Sequence, residues 1–159
     1  MEAGESDLEF LHSLYLDPRM MAHLGGPLSE SVVQERLQKW MGHWRKFAFG
    51  VGLLRWKDTR QKIGVSGLLH SEIEGEKVLE MGWMIAPDFQ KRGLAFEAAQ
   101  GYFDFARHRL HPKTIIALPD EKNLASNRIC EKLKFTRGKV FAYPFLDRTL
   151  DSVLWRFDF

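Results

Sequence analysis

Residues 77–106 constrain this chain more than any other stretch. KVLEMGWMIA (77–86) reads as a strand, closed by Pro87-Asp88. Gln90-Lys91-Arg92-Gly93 is a tight basic turn. Immediately behind it Leu94, Ala95, Ala98, Ala99, Tyr102, Phe103 and Ala106 recur at helical spacing. The pattern predicts a strand, a short cationic turn and the exposed start of a helix.

The flanking segments supply further elements. Ser6 and Glu9 form an S-x-x-E capping box, and Leu8, Leu11, Leu14 and Tyr15 fall on one helical face behind it. Asp17-Pro18 ends or bends that helix. Gly25-Gly26-Pro27 is a turn, after which Ser29 caps a helix through Val33, Leu37, Trp40 and Trp44. FAFGVGLLRW (47–56) and KIGVSGLLH (62–70) read as strands joined by the polar loop KDTRQ. Pro112 closes the central helical region, and KTIIALPD (113–120) is a short buried strand. A helix from Asn123 to about Leu133 turns Ile129, Cys130 and Leu133 inward. Two strands, around 138–145 and 149–158, complete the order. Helices, meander, helix, strand, helix and hairpin predict a mixed α/β (α+β) fold around one central sheet. No repeat or Ser/Gly/Pro-rich linker divides the 159 residues, so one domain over 1–159 is expected.

Composition narrows the function. At 45% hydrophobic and 28% charged, the chain has the balance of a packed soluble protein. A net charge of +2 is too small to argue for nucleic acid. No apolar run nears the ~20 residues that span a bilayer. The acidic start MEAGESDLEF lacks a secretory pattern, and the single cysteine, Cys130, allows no internal disulfide. A cytoplasmic location, with no membrane partner, is expected. The six histidines and the cysteine show no metal-binding spacing, so no metal is expected.

Gly93 lets a ligand approach the backbone, because no side chain stands in the way. The first N–H groups of the helix have no partner within it, and the helix dipole adds partial positive charge there. Lys91 and Arg92 add full charges. Together these make an anion site suited to a phosphate or pyrophosphate. The spacing matches neither a Walker A loop nor G-x-G-x-x-G. Taken alone, the same residues also describe an ordinary helix start after a solvated basic turn.

The longer run EMGWMIAPDFQKRGLAFEA (80–98) resembles the central motif of the GNAT superfamily of N-acetyltransferases. In that family a strand ends in a Q/R-x-x-G-x-G/A loop that opens a helix, here Gln90-Lys91-Arg92-Gly93-Leu94-Ala95. NLASNRICEKLKF (123–135) is similar to the family's second signature, an Asn and a Ser opening a helix with a KLGF-like end. DPRMMAHLGGPLSE (17–30) resembles the first helices of the branch that includes ribosomal-protein N-terminal acetyltransferases. The likeness covers roughly residues 6–157.

The resemblance implies a splayed, mostly antiparallel sheet flanked by helices, with acetyl-CoA as co-substrate. The backbone of Met84, Ile85 and Ala86 would pair with the pantetheine arm, and residues 90–95 would hold the pyrophosphate. Lys91 or Arg92 would meet the 3′-phosphate, Asn123 the pantetheine, and Ser126 would lie near the thioester sulfur. The acceptor would be an amine, either a small molecule or a peptide N-terminus, attacking directly. Glu80 shares a strand face with Gly82 and Met84 and is the candidate base, or else a structural carboxylate. Ser126 is either a proton donor or a helix cap. Tyr143 is either a proton donor or a buried aromatic. His70 and Glu72 would border the substrate cleft or simply be solvated. Cys130 reads as core filler, and most of the five tryptophans as packing.

Two features depart from the family pattern. Only MEAGE precedes the first capping box, where the branch has a strand, so the chain is either truncated or lacks an edge strand. A second copy in a homodimer could cover such an edge. Lys134 stands where KLGF has Gly, at a helix end that favours left-handed backbone. An N-acetyltransferase is the reading carried forward. The alternatives are a non-catalytic acyl-CoA-binding or regulatory module and a phosphate-binding domain that takes no CoA.

Overall fold

The computed structural model describes residues 2–159. Six strands form one sheet: β1 (Gly52–Arg55), β2 (Lys62–Ile73), β3 (Glu76–Ile85), β4 (Thr114–Ala117), β5 (Thr136–Phe145) and β6 (Arg148–Asp158). Their spatial order is β1-β2-β3-β4-β6-β5. Every neighbouring pair is antiparallel except β3–β4. Five α-helices accompany the sheet: α1 (Leu8–Tyr15), α2 (Pro18–Met21), α3 (Glu30–Phe47), α4 (Leu94–Phe105) and α5 (Leu124–Lys132). The mixed architecture expected from the element order is the one observed.

The helices bury apolar side chains on opposite faces of the sheet. Leu11, Leu14, Val33 and Leu37 pack with Val51, Leu53 and Val65 on one face. Ala99, Phe103, Cys130 and Leu133 pack with Leu68, Leu79, Met81 and Ile115 on the other. Alternation along β3 decides which residues join which side. Leu79 and Met81 face α4, whereas Glu80, Gly82 and Met84 face the side of α1–α3.

The splay is visible in the register. β2 and β3 pair from Ile73–Glu76 to Gly64–Ile85. β3 and β4 pair only at Leu79–Ile115 and Glu80–Ile116. Beyond Ala117 the chain follows β6 instead: Val153 N–H donates to the Pro119 carbonyl at 2.9 Å, and Asp120 bridges Ser152. β3 continues to Ile85 without a neighbour on that side, so a gap opens between the strands.

Two local expectations are corrected. The first turn is organised by Asp7 rather than by a Ser6–Glu9 box. Gly4 N–H donates to Asp7 Oδ2 at 3.0 Å, and α1 starts at Leu8. Asp7 is drawn there by Lys62 at 2.7 Å and Arg55 at 3.6 Å. Residues 47–51 are not strand, because α3 runs to Phe47 and Ala48 closes it in left-handed backbone at φ 59°. His43 bonds the Phe49 carbonyl at 2.8 Å, and Trp44 Nε1–H donates to the Val51 carbonyl at 2.7 Å, fixing this exit. As expected, no strand precedes α1 among the described residues; Glu2 makes only an isolated antiparallel bridge to Gly52.

Lys134 does occupy left-handed backbone, at φ 63°. Phe135 N–H donates to the Cys130 carbonyl and Lys134 N–H to the Glu131 carbonyl, both at 3.0 Å. This is the Schellman pairing, which satisfies the last carbonyls of α5 with lysine in the place glycine usually takes.

Candidate active site

The gap between β3 and β4 opens into a cleft of about 670 Å3. One half is built by the loop after β3 and by α5. The other is built by α1, α3 and the terminal hairpin.

In the first half, antiparallel alternation sorts the end of β3. Ala86 N–H donates to the Ile63 carbonyl at 2.8 Å. Hydrogen-bonding direction alternates along such a strand, so Met84 also faces β2, whereas Trp83 and Ile85 turn toward the gap. Of the expected run Met84–Ile85–Ala86, only Ile85 therefore offers its backbone to the cleft. Trp83, which the sequence reading did not single out for its backbone, joins it. The Ile85 carbonyl accepts from Gln90 Nε2 at 2.9 Å. Gln90 thus ties the loop to the strand end.

The loop itself is shaped for an anion. Lys91 lies at φ 61° and Gly93 at φ 80°, directly before α4. Among the described residues, no backbone N–H from Lys91 to Ala95 has an acceptor. These donors stand at the positive end of a helix, an arrangement chemically able to accept an anion. A Cβ built on Gly93 would meet nothing within 4 Å, so the space in front of the loop is open.

The structure separates the two loop cations. Arg92 donates to the Asp88 carbonyl at 3.2 Å and lies over Phe89, 5.5 Å from the ring centre. Lys91 lines the cleft, with no ion pair among the described residues. Arg128 and Lys132 line the same half from α5. Neither was anticipated. Their spacing of four on the helix that carries Ser126 was the available signal.

Asn123, not Ser126, caps α5: Ser126 N–H donates to Asn123 Oδ1 at 3.1 Å. The capping alternative for Ser126 is therefore set aside. Its hydroxyl is half-buried at the cleft, with no hydrogen-bond partner among the described residues.

In the second half, Tyr143 O–H donates to Glu80 Oε2 at 3.3 Å. Burial pushes the Tyr143 phenol well above its usual range, the Glu80 charge and hydrogen bond add to this, and Arg36 opposes it. Tyr143 is thus a neutral hydrogen-bond donor at any working pH. Arg36 Nε–H donates to the Tyr15 hydroxyl at 3.0 Å. The Arg36 guanidinium lies 5.6, 5.2 and 5.3 Å from the ring centres of Tyr15, Trp40 and Phe145. Sequence reading missed this cluster, because its members come from three separate elements.

Other candidates fall elsewhere. His70 does not border the cleft. It packs 4.4 Å from Phe47 and 5.6 Å from His43, between ring centres. Burial, then His43 and Lys46, lowers its pKa. Cys130 is fully buried on the inward face of α5, and burial pushes its thiol up to about 12. Trp155 is core, donating to Asn127 Oδ1 at 2.7 Å. Among the described residues, no cluster of three metal-ligating side chains occurs, and no helix is long and apolar enough to cross a membrane.

Comparison with known proteins bears on this arrangement. The family model described as "Acetyltransferase (GNAT) domain" matches residues 2–136. The uncharacterized protein YkkB of Bacillus subtilis (strain 168) is 29% identical over 124 residues, which is 76% of this chain and 70% of that one. An acetyltransferase from Agrobacterium tumefaciens str. C58 superposes with a TM-score of 0.83 at 22% identity, over 99% of this chain and 88% of that one. RimL, a ribosomal L7/L12 alpha-N-protein acetyltransferase solved with coenzyme A, superposes with a TM-score of 0.77 at 16% identity, over 99% and 91%.

Proposed function

The chain belongs to the GNAT acetyltransferase family, and from that premise we propose that it moves the acetyl group of acetyl-CoA onto a primary amine, by direct attack in a ternary complex. The observation that carries this reading is the continuity of the donor half. The backbone edge left open at Trp83 and at the Ile85 N–H runs straight into the unpaired amides of residues 91–95. An extended amide-bearing arm with a pyrophosphate at its far end matches that order of donors and acceptors.

In this reading residues 90–95 hold the pyrophosphate, Gln90 by bracing the strand end and the others by their amides. Lys91, Arg128 and Lys132 are the cations in reach of the nucleotide phosphates. Arg92 is committed to its own loop. Asn123, as the cap of α5, fixes Ser126 at the cleft. The bound co-substrate supplies an activated thioester carbonyl; the protein supplies orientation and proton movement.

The attacking amine must be neutral. Glu80 takes its proton, directly or through a water, and Tyr143 keeps the Glu80 carboxylate oriented. The unpaired N–H groups of Trp83 and Ile85 are the backbone donors that face developing oxyanion charge. Ser126 is the hydroxyl placed to return a proton to the departing thiolate. No covalent enzyme intermediate is involved, because the chain's one thiol is buried and held protonated.

Thermal stability with acetyl-CoA, CoA, ATP and NAD in parallel tests the ligand. A ligand held at ~100 times its Kd and bound only by the folded state adds about 2.7 kcal/mol. Stabilisation by the two CoA species alone, followed by thiol release with an amine panel, supports the proposal. Stabilisation without thiol release for any amine would favour a non-catalytic acyl-CoA-binding module.

A further inference from the structure

Resting on the transferase reading, we propose that the acceptor amine carries a carboxylate, which the Arg36 guanidinium binds with the Tyr15 hydroxyl beside it. Arg36 projects into the acceptor half of the cleft. It uses one donor, Nε–H, on Tyr15. Its two terminal nitrogens have no acceptor, and it has no ion pair, among the described residues.

The structural arginines of this chain behave otherwise. Arg148 gives Nη1 to the carbonyls of Leu24 and Gly26, Nη2 to that of Pro27, and pairs with Asp147. Arg156 is bound by Glu76 and Asp158. Arg19 is bound by Asp17. Among the described residues, Arg36 is the arginine in the acceptor half that keeps its fork unspent.

Its surroundings suit a planar anion. The guanidinium lies over the rings of Tyr15, Trp40 and Phe145, 5.2–5.6 Å from their centres. What remains available is the in-plane edge, whose paired N–H groups match a carboxylate in bidentate fashion. Tyr15 is 1% exposed, and its hydroxyl accepts from Arg36 while its own proton has no acceptor among the described residues. That proton is a further donor for the same anion.

Glu80 and Arg36 together set the shape of the acceptor. Tyr143 meets Glu80, and Phe145 meets Arg36. Tyr143 and Phe145 share one face of β5, two residues or about 7 Å apart along the strand. An amine drawn to Glu80 and a carboxylate drawn to Arg36 would therefore sit several bonds apart, as in an ω-amino acid or an acidic peptide N-terminus. A polyamine would instead face the Arg36 charge. Among the described residues, the carboxylates lining the cleft are Glu80 and Asp120.

Thiol release is measured with 6-aminohexanoate, 6-aminohexanamide, spermidine and the dipeptides Gly-Glu and Gly-Gln, both blocked as C-terminal amides. Binding of the same compounds to the CoA-loaded protein is followed in parallel by NMR titration. Each carboxylate should exceed its matched amide by roughly tenfold or more in kcat/KM and in affinity, as a charge-assisted pair allows. Arg36→Gln should collapse that ratio toward one, chiefly through KM, and Arg36→Lys should restore part of it. Melting curves confirm that both variants are folded. A preference for 6-aminohexanoate over Gly-Glu points to a free amino acid, the reverse to a peptide, and either supports the carboxylate site. Equal use of acids and amides, preference for spermidine, or an Arg36→Gln loss equal for all acceptors overturns it. Carboxylate binding that depends on Arg36 without any turnover would keep this site and remove the transferase reading instead.

Discussion

The Tyr143 hydroxyl meets the Glu80 carboxylate at 3.3 Å, joining the terminal hairpin to the middle of β3. The contact puts a neutral donor against one of the two carboxylates that line the cleft among the described residues, since Tyr143 is held protonated by burial and by Glu80 itself. Glu80→Gln removes the proton acceptor while keeping a hydrogen-bonding side chain. We expect kcat to fall by ~10²–10⁴ with the Kd for CoA unchanged. Tyr143→Phe should cost less and act through the orientation of Glu80. Steady-state kinetics beside CoA titration checks this; full turnover by Glu80→Gln would exclude Glu80 as the base.

Gly93 holds φ 80° in front of open space. Valine there strains the backbone by about 1–2 kcal/mol and places methyl groups where a phosphate would lie. Gly93→Val should lose most of the thermal stabilisation by acetyl-CoA, beyond the drop in its own ligand-free melting temperature. An unaltered Kd by calorimetry would mean that the loop is not the phosphate site.

Lys134 pays for left-handed backbone at φ 63° in a helix end otherwise well bonded. Lys134→Gly should stabilise the fold by about 1 kcal/mol. For a chain of this size that corresponds to roughly 2–4 °C in Tm. The residue lies at the solvent-exposed end of α5, so acetyl-CoA affinity is a useful control. A lower Tm would show that the lysine side chain contributes more than its backbone costs.

Asp7 is buried beside Lys62 and Arg55. Burial opposes its ionisation, but the Lys62 and Gly4 hydrogen bonds and the two cationic charges outweigh it and hold the carboxyl below its usual 3.8. Its folded pKa is depressed, so its stabilisation is present above about pH 4 and is lost as pH falls through the folded value. Asp7→Asn should cost about 2–3 kcal/mol near neutrality, less than a fully buried pair because both cations keep some solvent. Urea melts from pH 7 to pH 2 should show the variant losing less on acidification than the parent.

Cys130 is fully buried, with its thiol pushed up to about 12. It should resist iodoacetamide in the native state and react only on unfolding. Cys130→Ala should retain turnover, at a stability cost of about 1–2 kcal/mol for the small cavity left. Trapping of an acetylated Cys130 by mass spectrometry would contradict direct transfer.

Much of the fold was legible because its signals are local. The strand over 76–85, the Gly93 turn and the helix behind it follow from side-chain period and backbone freedom within one short run. The left-handed Lys134 was legible for the same reason. The misread at 47–56 arose where a local pattern met a competing tertiary one: apolar residues 47–51 are pinned by His43 and Trp44 from the preceding helix turn. Ser6 with Glu9 looked like a cap, but Lys62, fifty-five residues beyond Asp7, selected Asp7 instead.

The sequence by itself determined the order of elements and the glycine turn that opens α4, because backbone geometry and helix-end charge depend on neighbours in the chain. Only the tertiary structure decided which backbone groups stay free and which side chains converge. The parting of β3 from β4 leaves Trp83 and the Ile85 N–H without a strand partner. The return of the terminal hairpin brings Tyr143 to Glu80 and Phe145 to Arg36. Those contacts join residues more than sixty positions apart. They are set by how the sheet twists and packs, which no short run of side chains encodes.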